Sequence, residues 1–154
     1  MKTIQAYGYY FTGAGAPLEK KTFAIEAVDA GNVVVQVAGC GLCHTDLGFM
    51  SGNVKTNAEL PLILGHEVSG KVVAAGAGAE HLEGKQVIVP AVLPCGECEL
   101  CKGGRSNICR SQKMPGNDFH GGFASHITVP ARYVCELPKE LGSFKVSNLS
   151  VIAD

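Results

Sequence analysis

Four cysteines, Cys95, Cys98, Cys101 and Cys109, fall at spacings of two, two and seven intervening residues, and no other feature restricts the fold of this chain so tightly. Thiolates two residues apart can turn toward one point, and a fourth from a nearby loop completes a tetrahedron around Zn²⁺ at about 2.3 Å per bond. Four thiolates leave no open coordination position, so such a zinc is structural. It would replace a hydrophobic core for a lobe, about residues 93–114, with little apolar sequence of its own. The main rival is an iron–sulfur cluster, whose bacterial ferredoxin run is C-x2-C-x2-C-x3-C-P. The first three cysteines comply, but Arg105 stands where the fourth is required and Ser106 where the proline belongs. The total of seven cysteines is odd, and the start, Met1-Lys2-Thr3-Ile4-Gln5-Ala6-Tyr7, lacks the apolar stretch of a secretion signal. Both facts weigh against a disulfide framework.

Around that lobe the chain reads as mainly β. Candidate strands are 3–10, 22–27, 32–39, 67–75, 86–90, 123–129 and 133–137. Val33, Val35 and Val37 form a β-branched face against a mixed face of Val34, Gln36 and Ala38, the alternation of a half-buried strand. Short strands bounded by glycine-rich turns suggest a small barrel or sandwich. His44–Met50 reads as a short helix. Residues 147–154 read as the start of another, capped by Ser147 or Ser150, and the stretch is expected to be part of a longer chain.

The 154 residues suit one domain, and 46% hydrophobic content can build a core, which excludes a mainly disordered chain. A formal net charge of −1 argues against a nucleic-acid partner, which would need a basic face. No apolar run approaches the ~20 residues needed to span a bilayer. A soluble, cytoplasmic protein is therefore expected.

A second cluster of donors is Cys40-Gly41-Leu42-Cys43-His44-Thr45-Asp46, followed by Gly65-His66-Glu67-Val68-Ser69-Gly70. Catalytic zinc takes three protein ligands and keeps a fourth position open. Cys40, Cys43 and His66 could make that set, with Asp46 and Glu67 as acceptors for a zinc-bound histidine. For Cys40 the favoured reading is a small buried hydrophobe at a strand end. Cys135, in a strand-like run, is expected in the core. His81, His120 and His126 read as surface or satisfied-core residues.

Cys43-His44-Thr45-Asp46, Gly65-His66-Glu67-Val68-Ser69-Gly70, the four-cysteine lobe and Gly121-Gly122-Phe123-Ala124 together resemble the zinc-dependent medium-chain alcohol dehydrogenases, in order and over the whole of 1–154. The resemblance implies their GroES-like catalytic domain: a partly open β-barrel with short helices and a four-cysteine zinc lobe. It implies two zinc ions per chain, one structural and one catalytic. Cys43 and His66 become ligands of the catalytic zinc, with Glu67 a carboxylate that can approach it and Asp46 the partner that orients His66. Thr45 would hold the substrate hydroxyl and begin proton removal, and His44 would lie near the cofactor pyrophosphate. Asp154 stands where many members place a third ligand, usually cysteine. Gly48 stands where many end a proton relay on histidine. Gly116-Asn117-Asp118-Phe119-His120 most resembles members that oxidise a cyclic hydroxyacyl-CoA, such as 6-hydroxycyclohex-1-ene-1-carbonyl-CoA, in anaerobic aromatic degradation. The implied reaction is oxidation of a secondary alcohol to a ketone, with hydride passed to NAD or NADP, by a homo-oligomer when full-length.

The cofactor site itself is not found in the sequence. The dinucleotide fingerprint is G-x-G-x-x-G; Gly76-x-Gly78 is followed by His81 in place of the third glycine, and Gly13-x-Gly15 by Leu18. The α/β Rossmann domain of the family is expected beyond this stretch, and 1–154 alone is expected to be inactive. Two other classes compete. A non-catalytic, co-chaperonin-like zinc barrel explains the strands and the lobe but not Cys43-His44-Thr45-Asp46 or His66-Glu67. An electron-transfer module would need iron.

Overall fold

Three stretches of β-branched and aromatic residues form the first sheet of the computed structural model, which describes residues 3–138, 140, 141 and 145–153. In it β1 (Ile4–Phe11) pairs antiparallel with β2 (Glu19–Ile25) on one side and with β4 (Leu62–Ile63) on the other. The second sheet has the order β7-β3-β5-β6-β8, with β3 Asn32–Gly41, β5 Glu67–Ala75, β6 Gln86–Val89, β7 His126–Pro130 and β8 Cys135–Glu136. Residues 123–125 stitch the sheets together. Tyr9 N–H donates to Phe123 O (2.9 Å), Ser125 N–H to Tyr7 O (2.8 Å) and Val37 N–H to Ser125 O (2.9 Å). The barrel stays open, because β2 and β8 end their sheets without a further partner among the described residues. This is the mainly β, GroES-like architecture with short helices expected from the sequence.

The core lies between the β3/β5 face and its neighbours. Val33, Val35, Val68, Val72, Val87, Val89, Ile127 and Val129 make one cluster, with Val33, Val35, Val68 and Val72 wholly inaccessible to solvent. Each such side chain is worth about 1.5–3 kcal/mol of burial. The simple alternation expected in β3 is broken, since Val34 is buried as completely as Val33 and Val35. The pairing with β5 is irregular at the same place: Val34 faces Ala74 and Val35 faces Val72, so the extra residue is Val73 on β5. A smaller cluster of Phe11, Phe49, Leu62 and Leu64 anchors helix α1 (His44–Ser51) beneath β1 and β4.

Several boundaries differ from those read in the sequence. The second strand begins at Glu19, because Lys20 and Lys21 lie on an exposed edge and need no apolar alternation to pair. The candidate strand at 123–129 is regular only from His126, its first residues serving the sheet-to-sheet stitch instead. That at 133–137 shrinks to Cys135–Glu136 after a 3-10 turn at Ala131–Tyr133. Cys135 is exposed, which corrects its placement in the core: β8 is a two-residue edge with nothing packed over it at that position. The final helix is a 3-10 helix, Val146–Ile152, without a side-chain cap. Ser150 Oγ bonds back to Ser147 O and Ser147 Oγ to Asn148 Oδ1, so neither serine serves the helix start. This helix is held instead by Ser69 Oγ–H donating to Val146 O (2.6 Å) and Ala91 N–H to Ala153 O (2.7 Å). No helix of the described residues is long and apolar enough to cross a membrane.

Candidate metal centres

The lobe carries a short helix, α2 (Glu99–Lys102), entered from Cys98, and a 3-10 turn, Ser106–Ile108, that ends at Cys109. These two turns swing four thiols inward. Sγ–Sγ separations are 3.9 Å for Cys95–Cys101, 3.8 Å for Cys98–Cys109 and 3.5 Å for Cys95–Cys109. A regular tetrahedron of four sulfurs around zinc, with about 2.3 Å bonds, has edges of about 3.8 Å. The sulfurs therefore stand at the vertices such an ion requires, and none of the seven cysteines is in a disulfide. Backbone N–H groups of Glu97 and Cys98 draw the Cys95 thiol down to about 6, favouring the thiolate that a metal binds. The root of the lobe is closed by Leu93 and Lys113, which exchange N–H···O bonds of 2.8 and 2.9 Å.

The second centre is assembled from two places far apart in sequence. Cys43 lies two residues beyond β3 and is the residue from which α1 starts, its backbone still extended. His66 precedes β5 and Glu67 opens it, and the antiparallel pairing of Gly41 with Glu67 brings the two segments side by side. One donor atom each from Cys43, His66 and Glu67 lies within 4.8 Å of the others. Two glycines make this possible. Gly65 has φ +94°, and a Cβ there would stand 2.7 Å from Cys40 Sγ and from the Phe123 ring. A Cβ on Gly41 would collide with the Glu67 carboxylate, so only glycine lets that carboxylate lie inward.

Asp46, fully buried, organises the centre. One carboxylate oxygen accepts the Cys43 N–H (3.0 Å) and the other the Gly65 N–H (3.1 Å), the latter oxygen standing 3.6 Å from His66 Nδ1. Cys43 and Asp46 thus have the spacing of a capping box with cysteine in place of serine, a signal for the placement of Asp46 that reading it only as a histidine partner passes over. His66 is also buried, and its Nδ1 lacks a hydrogen-bond partner among the described residues. The neighbouring Asp46 carboxylate raises the His66 pKa to about 9 against the opposing effect of burial. A buried imidazole, a thiol and a carboxylate converging in this way fit the mixed donor set of a zinc ion with an open position.

The remaining candidates fall around it. Thr45 is half-buried with its Oγ1 3.7 Å from Cys43 Sγ, and His44 is exposed on the first turn of α1. Cys40 is not among the converging donors and packs against the β3/β5 core, its thiol directed at Gly41 O (3.6 Å). Burial pushes that thiol up to about 12, with Asp46 adding to the effect. Asp154 lies outside the described residues. His81 is exposed, His120 accepts the Ile63 N–H (3.2 Å) and His126 contacts Ser125 Oγ (3.0 Å).

The chain matches the family described as the alcohol dehydrogenase GroES-like domain over residues 29–139, a span that contains both centres. It is 35% identical over 127 residues to an alcohol dehydrogenase of Geobacillus stearothermophilus, covering 81% of this chain and 38% of that protein. Among solved structures it resembles the D-arabinose dehydrogenase of Sulfolobus solfataricus with a TM-score of 0.84 at 27% identity, over 98% of this chain and 45% of that one. It also resembles a short chain alcohol dehydrogenase of E. coli CFT073 complexed with NADH, with a TM-score of 0.82 at 26% identity, over 96% and 42% of the two chains. The chain spans about two fifths of the length of these relatives.

Proposed function

Since this chain belongs to the zinc-dependent alcohol dehydrogenase family through its GroES-like domain, we propose that it is the alcohol-binding, metal-carrying part of an NAD(P)-linked dehydrogenase of secondary alcohols. The observation that carries the reading is the convergence of Cys43, His66 and Glu67 beside a half-buried Thr45. A purely structural barrel has no use for a second, mixed donor set. In this reading Cys43, His66 and Glu67 hold the catalytic zinc, with Asp154 supplying a further donor, and Cys95, Cys98, Cys101 and Cys109 hold a structural one. When bound, the metal supplies Lewis acidity toward an alcohol oxygen and the nicotinamide supplies a hydride acceptor.

The chain's own residues do the rest. Asp46 fixes Cys43 through its backbone N–H and presents an oxygen to His66 Nδ1, which orients the ring and leaves its other nitrogen for the metal. Thr45, its Oγ1 3.7 Å from Cys43 Sγ, accepts a hydrogen bond from the substrate hydroxyl and relays the proton by releasing its own hydroxyl proton toward solvent. His44, exposed at the start of α1, would serve the pyrophosphate of the cofactor. The NADH held by a relative supports a nicotinamide as that cofactor. The nicotinamide-binding domain belongs to the part of the relatives' length that this chain does not span. For the substrate we favour a cyclic hydroxyacyl-CoA thioester, on the likeness of Gly116-Asn117-Asp118-Phe119-His120, and for the full-length enzyme a homo-oligomer acting in aromatic degradation.

The test is cobalt substitution of the chain with absorption spectroscopy. Two cobalt ions per chain are expected, one with four-thiolate bands and one whose bands shift on adding an alcohol-site ligand such as imidazole. His66→Ala should abolish only the second. A single cobalt per chain, unaffected by His66→Ala, refutes the proposal.

A further inference from the structure

We infer that Asp118 is a positioning residue for the Cys43–His66–Glu67 centre: with Asn57 and Asn117 it clamps the exit of the four-cysteine lobe and the loop before β4 onto the backbone from which His66 emerges. The inference rests on the reading that those three side chains hold a metal.

Asp118 is bonded on three sides. Its Oδ2 accepts the Met114 N–H (2.9 Å), its Oδ1 accepts from Asn57 Nδ2 (3.1 Å), and Lys113 Nζ stands 3.5 Å from Oδ1. Burial acts to raise its pKa, but the bonds from Asn57 and Met114 and the Lys113 charge prevail and lower it. Asn117 completes the clamp. Its Oδ1 accepts the Asn57 N–H (3.0 Å) and its carbonyl the Ala58 N–H (2.8 Å). Segments some 60 residues apart in sequence are thereby joined at one turn. On the lobe side, Met114 follows Lys113, the residue that closes the lobe against Leu93.

The other face of the same turn carries His66. Gly121 N–H donates to Ile63 O (2.7 Å), Phe123 N–H to Leu64 O (2.9 Å) and Gly122 N–H to Gly65 O (2.8 Å). His120 Nδ1 takes the Ile63 N–H. Gly116 lies so close that a Cβ on it would stand 2.7 Å from Gly65 N, the amide that Asp46 binds. The path from the root of the lobe to the metal ligand therefore runs from Lys113 to Met114 and Asp118, along the same turn through Phe119 to Gly116, and across to Gly65 and His66. Packed backbone of this kind has no slack to absorb a shift at one end without moving the other. Asp118 touches neither metal site and acts through Gly65 on the placement of His66.

The experiment uses the 154-residue chain with both sites loaded with cobalt(II), reading the affinity of each site by its own bands and the backbone by hydrogen exchange. Asp118→Ala should speed exchange of the Asn57, Ala58 and Met114 amides by about tenfold or more. It should weaken cobalt at the Cys43–His66–Glu67 centre about three- to tenfold, less than the roughly 10–100-fold typical of groups bonded directly to ligands. Four-thiolate cobalt binding and the exchange of β3 and β5 amides should not change. Asn57→Ala, on an exposed loop, should give the same pattern at smaller size and serves if the aspartate variant fails to fold. Unchanged affinity at the centre in the folded variants overturns the inference. So does a uniform rise in exchange across β3 and β5, which would assign Asp118 to general stability. If the wild-type centre takes no cobalt, the reading of the centre fails. The clamp is then judged on the Gly65 and His66 amides, whose exchange must rise in Asp118→Ala for it to stand.

Discussion

Replacing Asp46 by alanine removes a carboxylate with no solvent exposure and two backbone N–H partners, Cys43 at 3.0 Å and Gly65 at 3.1 Å. Hydrogen bonds to a charged acceptor are worth about 1.5–3 kcal/mol each, so two give about 3–6 kcal/mol. Relief of the buried charge returns part of that, and about 3–4 kcal/mol is the expected net loss. For a chain of this size about 3 °C in Tm accompanies each kcal/mol, which predicts a fall of about 10 °C. The same substitution frees the His66 ring from the oxygen 3.6 Å away, and loss of a group that orients a metal ligand weakens binding about 10–100-fold. Two assays separate the effects. Calorimetry of the chain with only the lobe loaded gives the stability term, and competition against a fluorescent chelator gives the zinc affinity of the second centre. Asp46→Asn keeps only one acceptor oxygen for the two N–H groups and sets its NH2 against the other, so it should recover less than half of the Tm loss and little of the affinity. A Tm within about 2 °C of wild type together with unchanged affinity would refute the assignment of Asp46 as organiser of the site.

Three other outcomes are expected. Cys98→Ser should lose about one zinc per chain by metal analysis and leave the His66 centre loaded, because four-thiolate sites bind as a unit; unchanged stoichiometry would refute the closed lobe. Cys40→Ala should keep both metals, its thiol being pushed to about 12 by burial, whereas Asp154→Ala should weaken the second metal alone in equilibrium dialysis, and the reverse pattern would make Cys40 the ligand. His120 should make stability fall modestly with acid: its ring is largely exposed, but partial desolvation lowers its folded pKa and its Nδ1 accepts the Ile63 N–H, so the unfolded chain binds the proton first and stability, complete above the ordinary value of about 6.5, declines slightly as pH drops through it. His120→Asn should flatten that part of the Tm–pH curve between about pH 7 and 5, and a curve of the same slope in both proteins would count against a neutral ring accepting the Ile63 N–H.

The two centres differ in what each asks of the fold. The lobe gathers all its donors from one short excursion, so its geometry follows from two local turns. The Cys43–His66–Glu67 centre borrows one donor from just beyond β3 and two from the start of β5. Its shape is therefore only as good as the register between those strands and the packing behind Gly65. Stability of the barrel and affinity for the second metal are linked in a way that barrel stability and lobe affinity are not.

What was legible in the sequence is what local spacing controls. Cysteines at two, two and seven residues specify a four-thiolate lobe wherever the rest of the chain goes, and Cys43-His44-Thr45-Asp46 announces a helix start with its donors in place. Most strands were legible from β-branched runs between turns, since the pleat has a period of two and the runs are short. The remainder depended on contacts that no local pattern records. The shift between Val34 and Val35 arises from pairing with β5, and the exposure of Cys135 from β8 lying at an uncovered edge. Nothing local in the sequence marks Gly41 and Gly65 as required; the Glu67 carboxylate and the Cys40 thiol fill the space their missing side chains leave. Asp118 and Asn57 are ordinary polar loop residues in the sequence, and only tertiary structure brings them within 3.1 Å of each other and so ties the lobe to the metal ligand. The chain's chemistry is written in short motifs because donor atoms must be near one another; its geometry is not, because strands pair across dozens of residues and their register is chosen by burial on both faces together.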